Sequence, residues 1–205
     1  MATPQRLKSL LDAVTYVSNN NINGDIIECG VWKGGGLMAI TEKLKFYHDL
    51  NRIVWAFDTF EGMTVPEDHD VDLNDIKASV LLDELIPPLY DVKCMCSYEE
   101  ATTNILSTSY PKNNLRFIKG DLKDTLPMVE LDKIAILHLD TDWYASTKIE
   151  LEYLYPKLVK GGVLIIDDYG HWKGCKQAVD EYFAIQDPNV KMTEIDYTAR
   201  LIIKD

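Results

Sequence analysis

Five short apolar runs set the rhythm of this chain: "DIIECGV" (25–31), "RIVWAFD" (52–58), "LRFIKGD" (115–121), "IAILHLD" (134–140) and "GVLIIDD" (162–168). They are rich in Ile, Val and Leu and largely continuous rather than alternating, which predicts parallel strands covered on both faces. Helical spacing fills the gaps in "GLMAITEKLKFYHDL" (36–50), "YASTKIELEYLYPKL" (144–158) and "GCKQAVDEYFAI" (174–185). Gly161-Gly162 punctuate the return to the fifth strand. The chain ends in "VKMTEID" (190–196) and "ARLIIKD" (199–205), joined by "YT", which predicts an antiparallel hairpin. Strand and helix in alternation predict a doubly wound, mostly parallel α/β sheet with that hairpin at its edge, one domain over residues 1–205. The segment 59–113 breaks the rhythm. Its helix-like pieces at 76–86 and 97–109 predict a lid or substrate wall inserted into the fold.

Composition narrows the class. The 205 residues are 46% hydrophobic and 26% charged, as in ordinary globular chains, with a formal net charge of −12. That charge repels phosphate backbones, and no basic patch offsets it, so nucleic acid is not an expected partner. No apolar run reaches the ~20 residues a membrane helix needs, and the start "MATPQRLKSLLDAV" lacks a signal peptide's pattern. Cys29, Cys94, Cys96 and Cys175 have no C-x-x-C spacing and read as reduced thiols, despite the C-x-C of the middle pair. The expectation is a cytoplasmic enzyme acting on a small molecule.

The first turn carries the first candidate site. "IIECGVWKGGG" sets Glu28, Gly30, Gly34, Gly35 and Gly36 where the first strand gives way to a helix, as nucleotide-binding turns do. The spacing is neither G-x-G-x-x-G nor a P-loop, so nothing grips a pyrophosphate. A plain tight turn also accounts for the glycines. Glu28 would repel phosphate but suits a cationic ligand. Asp58 ends the second strand, placed for ribose hydroxyls with Thr59 and Glu61 beside it, and Asp121 ends the third, placed for an adenine amino group. Acids at successive strand ends without a phosphate grip suggest an adenosine bearing positive charge. S-adenosylmethionine fits that description.

The stretches "GDIIECGVWKGGG", "WAFDTFEGM", "KGDLKDTLP", "LDTDWYAST" and "YPKLVKGGVLIIDDYGHWKGCKQAVDEYF" together resemble the macrocin O-methyltransferase family of metal-dependent sugar methyltransferases, in the same order and over roughly Arg6 to Phe183. The resemblance implies methyl transfer from S-adenosylmethionine to a sugar hydroxyl of a glycoside or polysaccharide. It also implies acceptor-pocket and homodimer contacts in the N-terminal region, which is short here.

Two strand ends carry the second candidate site. Asp140 closes the fourth run, Asp142 follows it, and Asp167 and Asp168 close the fifth. If the two strands are neighbours, the carboxylates of Asp140, Asp167 and Asp168 meet, and their repulsion calls for a hard divalent cation such as Mg2+, held by oxygen ligands alone. The resemblance assigns Asp140, Asp167 and Asp168 to the metal, Asp140 also lying beside the cofactor, and makes Asp142 the general base. Other residues carry weaker signals. "DHDVDLND" (68–75) has Leu73 and Ser79 where a calcium loop needs Gly and Glu, so it is expected to be a solvated acidic loop. His138 is expected in the core or pocket wall. Trp143, Tyr144, His171 and Trp172 are candidates to touch a sugar or to pack in the core. Two other readings stay open: a catechol-type O-methyltransferase, and a nucleoside-binding protein without catalysis.

Overall fold

The structure is a computed structural model, and it describes residues 3–83 and 93–205. The part of the predicted helical piece beyond Asp83 lies outside the described residues. In chain order the elements are α1 (Pro4–Asn19), β1 (Asp25–Cys29), α2 (Gly35–Phe46), β2 (Val54–Asp58), α3 (Ala78–Asp83), α4 (Tyr98–Leu106), β3 (Leu115–Lys119), α5 (Leu122–Thr125), β4 (Ile134–Leu139), α6 (Tyr144–Leu154), β5 (Leu158–Ile166), α7 (Lys173–Gln186), β6 (Thr193–Glu194) and β7 (Arg200–Ile203). The strands form one seven-stranded sheet in the order β3-β2-β1-β4-β5-β7-β6. The first five run parallel, and β7 pairs antiparallel with both β5 and β6. The predicted doubly wound sheet with a mixed edge is the observed one.

The continuous apolar runs are explained by cover on both faces. Ile26, Ile136, Val163 and Ile165 pack with Leu10, Val14, Leu37 and Leu44 of α1 and α2. Their neighbours Ile27, Leu137, Leu164 and Ile166 belong to the opposite cluster, with Leu151 and Leu154 of α6 and Val179 and Phe183 of α7. A strand residue alternates faces, so burying both requires an apolar residue at each position.

Helix α1 was not among the elements read from the runs, although its signals are present. Thr3 caps it by accepting the Arg6 N–H at 3.2 Å, and Pro4 opens it. Leu10, Ala13, Val14 and Val17 then make one buried face at helical spacing.

Two expectations need correction. The terminal strands are shorter than 190–196 and 199–205, because Asp196 Oδ1 accepts the Thr198 and Ala199 amides and folds 195–199 into a loop. The acidic loop is not solvated as a whole. Asp68 is exposed, but Asp70 and Asp72 are 1% and 4% exposed. Asp70 accepts the backbone N–H of Tyr144 at 2.8 Å, so it caps α6 from a distant segment. Asp72 accepts the amides of Asn74 and Ile76, and its backbone bridges to Trp172. Backbone donors organise this loop. Through it the 64–78 stretch is fastened across the start of α6 and the turn before α7.

Candidate active site

All five parallel strands end on one side of the sheet, where open α/β folds bind ligands. A cavity of about 1170 Å³ opens there, and it takes in both candidate sites. Glu28, Gly30, Gly35, Asp58, Thr59 and Asp121 line one part, and Asp140, Asp142, Asp168, His171 and Trp172 line another. Met63, Thr64 and Val65 of the inserted segment, and Arg6, Leu7 and Leu10 of α1, complete the wall.

The glycine turn is shaped by its neighbours. Gly30 has φ +83° and lies so close to the Asp140 carbonyl that a Cβ there would overlap it. Gly34, at φ +84°, is the cap position of α2, and Gly35 opens toward the cavity with no atom near its missing Cβ. A side chain on Gly36 would collide with the carboxylate of Glu28. Asp58 holds the whole turn. Its Oδ2 accepts from Val31 and Trp32 at 2.7 and 2.8 Å, and its Oδ1 from Phe60 at 2.7 Å. The two amides fill the lone pairs of Oδ2, and Oδ1 keeps capacity for a ligand hydroxyl. Thr59 is turned to a local role, donating to the Gly62 carbonyl at 2.6 Å, and Glu61 is exposed in an ion pair with Lys119. Asp121 caps α5 through the Lys123 amide and pairs with the Lys123 ammonium at 3.0 Å.

Glu28 is buried, and His138 Nδ1 lies 2.9 Å from its Oε1. Its Oε2 is buried without a hydrogen-bond partner among the described residues. Such an atom calls for a partner, which the described residues do not provide.

Neighbouring strands β4 and β5 bring the four aspartates together, as the run ends predicted. Burial pushes the Asp140 carboxyl well above its ordinary value, and the nearby Asp167 charge adds to this. Burial also raises Asp142 and, more strongly, Asp168, and these two share a hydrogen bond. Asp167 goes the other way. Burial opposes its ionisation, but His138 and Arg6 outweigh it and hold the carboxyl below the usual range. Arg6 Nη1 reaches Asp167 Oδ2 at 2.6 Å, and His138 Nε2 stands 3.4 Å from Oδ1. Burial likewise opposes a charge on His138, yet Asp167 and Glu28 hold its imidazole well above the ordinary histidine value.

Carboxylates raised by burial and mutual repulsion form a site that a divalent cation would relieve. Ligand atoms of His138, Asp140 and Asp167 already lie within 4.8 Å of one another. His138 thus belongs to the close group, and Asp168 of the expected all-oxygen set does not, although its carboxyl feels the charges of Asp140 and Asp167.

Trp143 does not face a ligand. It is buried, donates its indole N–H to the Thr64 carbonyl and packs edge-on against Trp172 at 4.8 Å. Tyr144 stacks on His69 and donates its hydroxyl to Glu181. Both anchor the inserted segment and α7, while His171 and Trp172 line the cavity. Cys29, Cys96 and Cys175 are buried free thiols. No helix among the described residues is long and apolar enough to cross a membrane.

Reading the runs missed Arg6, which ties α1 to Asp167 and to Asp196. It also passed over Glu150, a fully buried acid on α6 that takes the Thr141 hydroxyl between Asp140 and Asp142. The signal for His138 was present as one polar residue inside an apolar run, which must find partners when buried.

A sheet of this order with an acid-lined cavity at its carboxyl edge is the frame of an O-methyltransferase, the class to which the chain's relatives belong. The chain belongs to the macrocin O-methyltransferase family, whose description it matches over residues 1–203. It is 35% identical over 193 residues to the demethyldecarbamoylnovobiocin O-methyltransferase of Streptomyces niveus, spanning 94% of this chain and 70% of that one. It is also 35% identical over 199 residues to the 8-demethyl-8-(2,3-dimethoxy-alpha-L-rhamnosyl)-tetracenomycin-C 4'-O-methyltransferase of Streptomyces olivaceus, covering 95% of this chain and 71% of that one. Among solved structures, the O-methyltransferase NovP superimposes with a TM-score of 0.85 at 33% identity, over 98% of this chain and 79% of that one.

Proposed function

We propose that this chain methylates a sugar hydroxyl of a glycosylated small molecule, with S-adenosylmethionine in the glycine-turn part of the cavity and Mg2+ at the aspartate cluster. The observation that carries the reading is one continuous cavity joining Glu28, with its unpartnered oxygen, to the repelling carboxylates at the ends of β4 and β5. Relatives named for sugar-bearing natural products support the acceptor class.

Glu28 would pair with the ammonium of the donor, Asp58 would accept from ribose hydroxyls, and Asp121 would meet the adenine amino group at the cavity rim. Asp140, Asp167 and Asp168 would hold the cation, which when bound supplies Lewis acidity toward a sugar hydroxyl. Asp142 stands at the cavity on a left-handed turn, φ +65°, which carries its carboxylate out of the strand direction. From there it would take the proton of the acceptor hydroxyl as that oxygen attacks the methyl carbon. The wall formed by Met63 to Val65 and by α1 would cover the reacting groups from water.

The test is a methyl-transfer screen of the purified protein against glycosides and catechols, with and without Mg2+. Transfer to glycosides that stops without the cation supports the reading. Transfer to catechols alone would move the acceptor to phenols, and transfer that persists after exhaustive chelation would remove the metal role.

A further inference from the structure

Glu28 is given room on one side and a hydrogen bond on the other. Across one side Gly36 has no side chain, and any Cβ there would displace the carboxylate. Across the other, His138 Nδ1 fixes Oε1 at 2.9 Å. The remaining oxygen, Oε2, is buried and unpartnered in a residue that lines the cavity. A glutamate side chain has three rotatable bonds, and this one loses its freedom before any ligand arrives. His138 is itself fixed, since its other nitrogen faces Asp167, which Arg6 holds in turn.

We propose that His138 is a positioning residue for the methyl donor: by occupying Oε1 of Glu28 it presents Oε2 to the ammonium group at the amino-acid end of S-adenosylmethionine. This rests on the reading of the glycine-turn cavity as the donor site. The role is selective. It concerns the amino-acid end of the donor and leaves the nucleoside end to Asp58 and Asp121. A histidine needed only for core packing would affect both ends alike.

The contrast is measured by calorimetric titration of the full chain with S-adenosylhomocysteine and with 5'-methylthioadenosine, which keeps the nucleoside but lacks the amino acid. Three variants separate the two ring contacts. His138→Asn keeps an amide near the position of Nδ1, His138→Gln reaches instead toward Nε2, and His138→Leu removes both. The expected result is S-adenosylhomocysteine binding weakened at least about tenfold in the Gln and Leu variants, the scale of a lost charged hydrogen bond. His138→Asn should stay near wild type, and methylthioadenosine affinity should change less than about threefold in all of them, by the same scale. Retained methylthioadenosine binding also reports an intact fold, and if the Leu variant does not fold the Asn–Gln contrast decides alone. Equal losses for both ligands, an Asn variant as weak as the Gln variant, or unchanged S-adenosylhomocysteine affinity in the Gln variant would each overturn the proposal. A wild-type chain that binds neither ligand would instead overturn the donor-site reading beneath it.

Discussion

Gly30, just past the end of β1, sits against the backbone carbonyl of Asp140, just past the end of β4, with no room between them for a Cβ. The two strands are parallel neighbours, and the Asp140 N–H donates to the Cys29 carbonyl at 2.9 Å. The glycine turn and the D-x-D turn therefore leave the sheet in contact. Gly30→Ala must adopt φ +83° and also push two strand ends apart. The left-handed backbone alone costs about 1–2 kcal/mol, and the overlap with backbone adds to it. A large fall in melting temperature, or failure to fold, is expected. Gly35→Ala, with open space at its Cβ, should leave the melting temperature unchanged or slightly raised, because alanine favours a helix start over glycine. Thermal unfolding of both variants checks the pair.

Asp140 and Asp142 are predicted to do different work although one residue separates them. Asp142→Asn keeps size and loses basicity, so kcat should fall roughly 10²–10⁴-fold with little change in the Mg2+ concentration needed. Asp140→Asn should raise that concentration instead. Rate against Mg2+ for the two variants decides: an Asp142→Asn enzyme rescued by excess metal would make Asp142 a ligand.

Chelation should stop methyl transfer without abolishing S-adenosylhomocysteine binding, because Glu28 and Asp58 lie at the ends of β1 and β2 and are not among the residues proposed to hold the cation. EDTA titration followed by both assays, with Mg2+ added back, tests the separation. Loss of ligand binding on chelation would place the cation in the donor site.

Asp196 gives the fold a stability that depends on pH. Burial pushes its carboxyl up, but the Ala199 amide, the Thr3 hydroxyl, the Thr198 amide and Arg6 outweigh burial and hold it below the usual value. A depressed carboxyl stabilises above its unfolded value, about 3.9, and loses that contribution as pH falls through the lower folded value. Asp196→Asn keeps the amide acceptor and loses the charge. Wild type should therefore melt above the variant by a constant margin from pH 7 to about 5, and the margin should close below about 4. Calorimetry across that range reads it, and a margin that persists in acid would contradict the assignment.

Asp70 links the inserted segment to the turn that carries Asp142. It accepts from Tyr144 and from Glu67, and so caps α6 just after Asp142. Asp70→Ala is expected to cost about 0.5–2 kcal/mol, the usual range for a lost cap, and to lower kcat more than the affinity for the donor. Chemical denaturation and steady-state kinetics together check it. Equal activity with lower stability would make Asp70 structural alone.

The sequence determined the layered fold because burial on both faces of a parallel strand leaves an unbroken apolar run, as at 134–137, and because glycine and acid mark where such runs end. It also determined that Asp140 and the Asp167–Asp168 pair would meet, once their two strands were neighbours. What it left open depended on partners far along the chain. Asp70 looked like a solvated acid, and only folding put the Tyr144 amide, 74 residues away, against it. Arg6 carried no motif, and its charge acquired a role when α1 packed its start against the ends of β5 and the loop before β7. Trp143 could be placed on a sugar or in the core until Trp172 and Thr64 enclosed it. His138 was one polar residue in an apolar strand, and the sheet order alone set it between Glu28 on β1 and Asp167 past β5. Strand and helix follow from local periodicity, which lies in neighbouring residues. The partners of a buried charge follow from which distant elements share a face, and that is decided only when the chain packs.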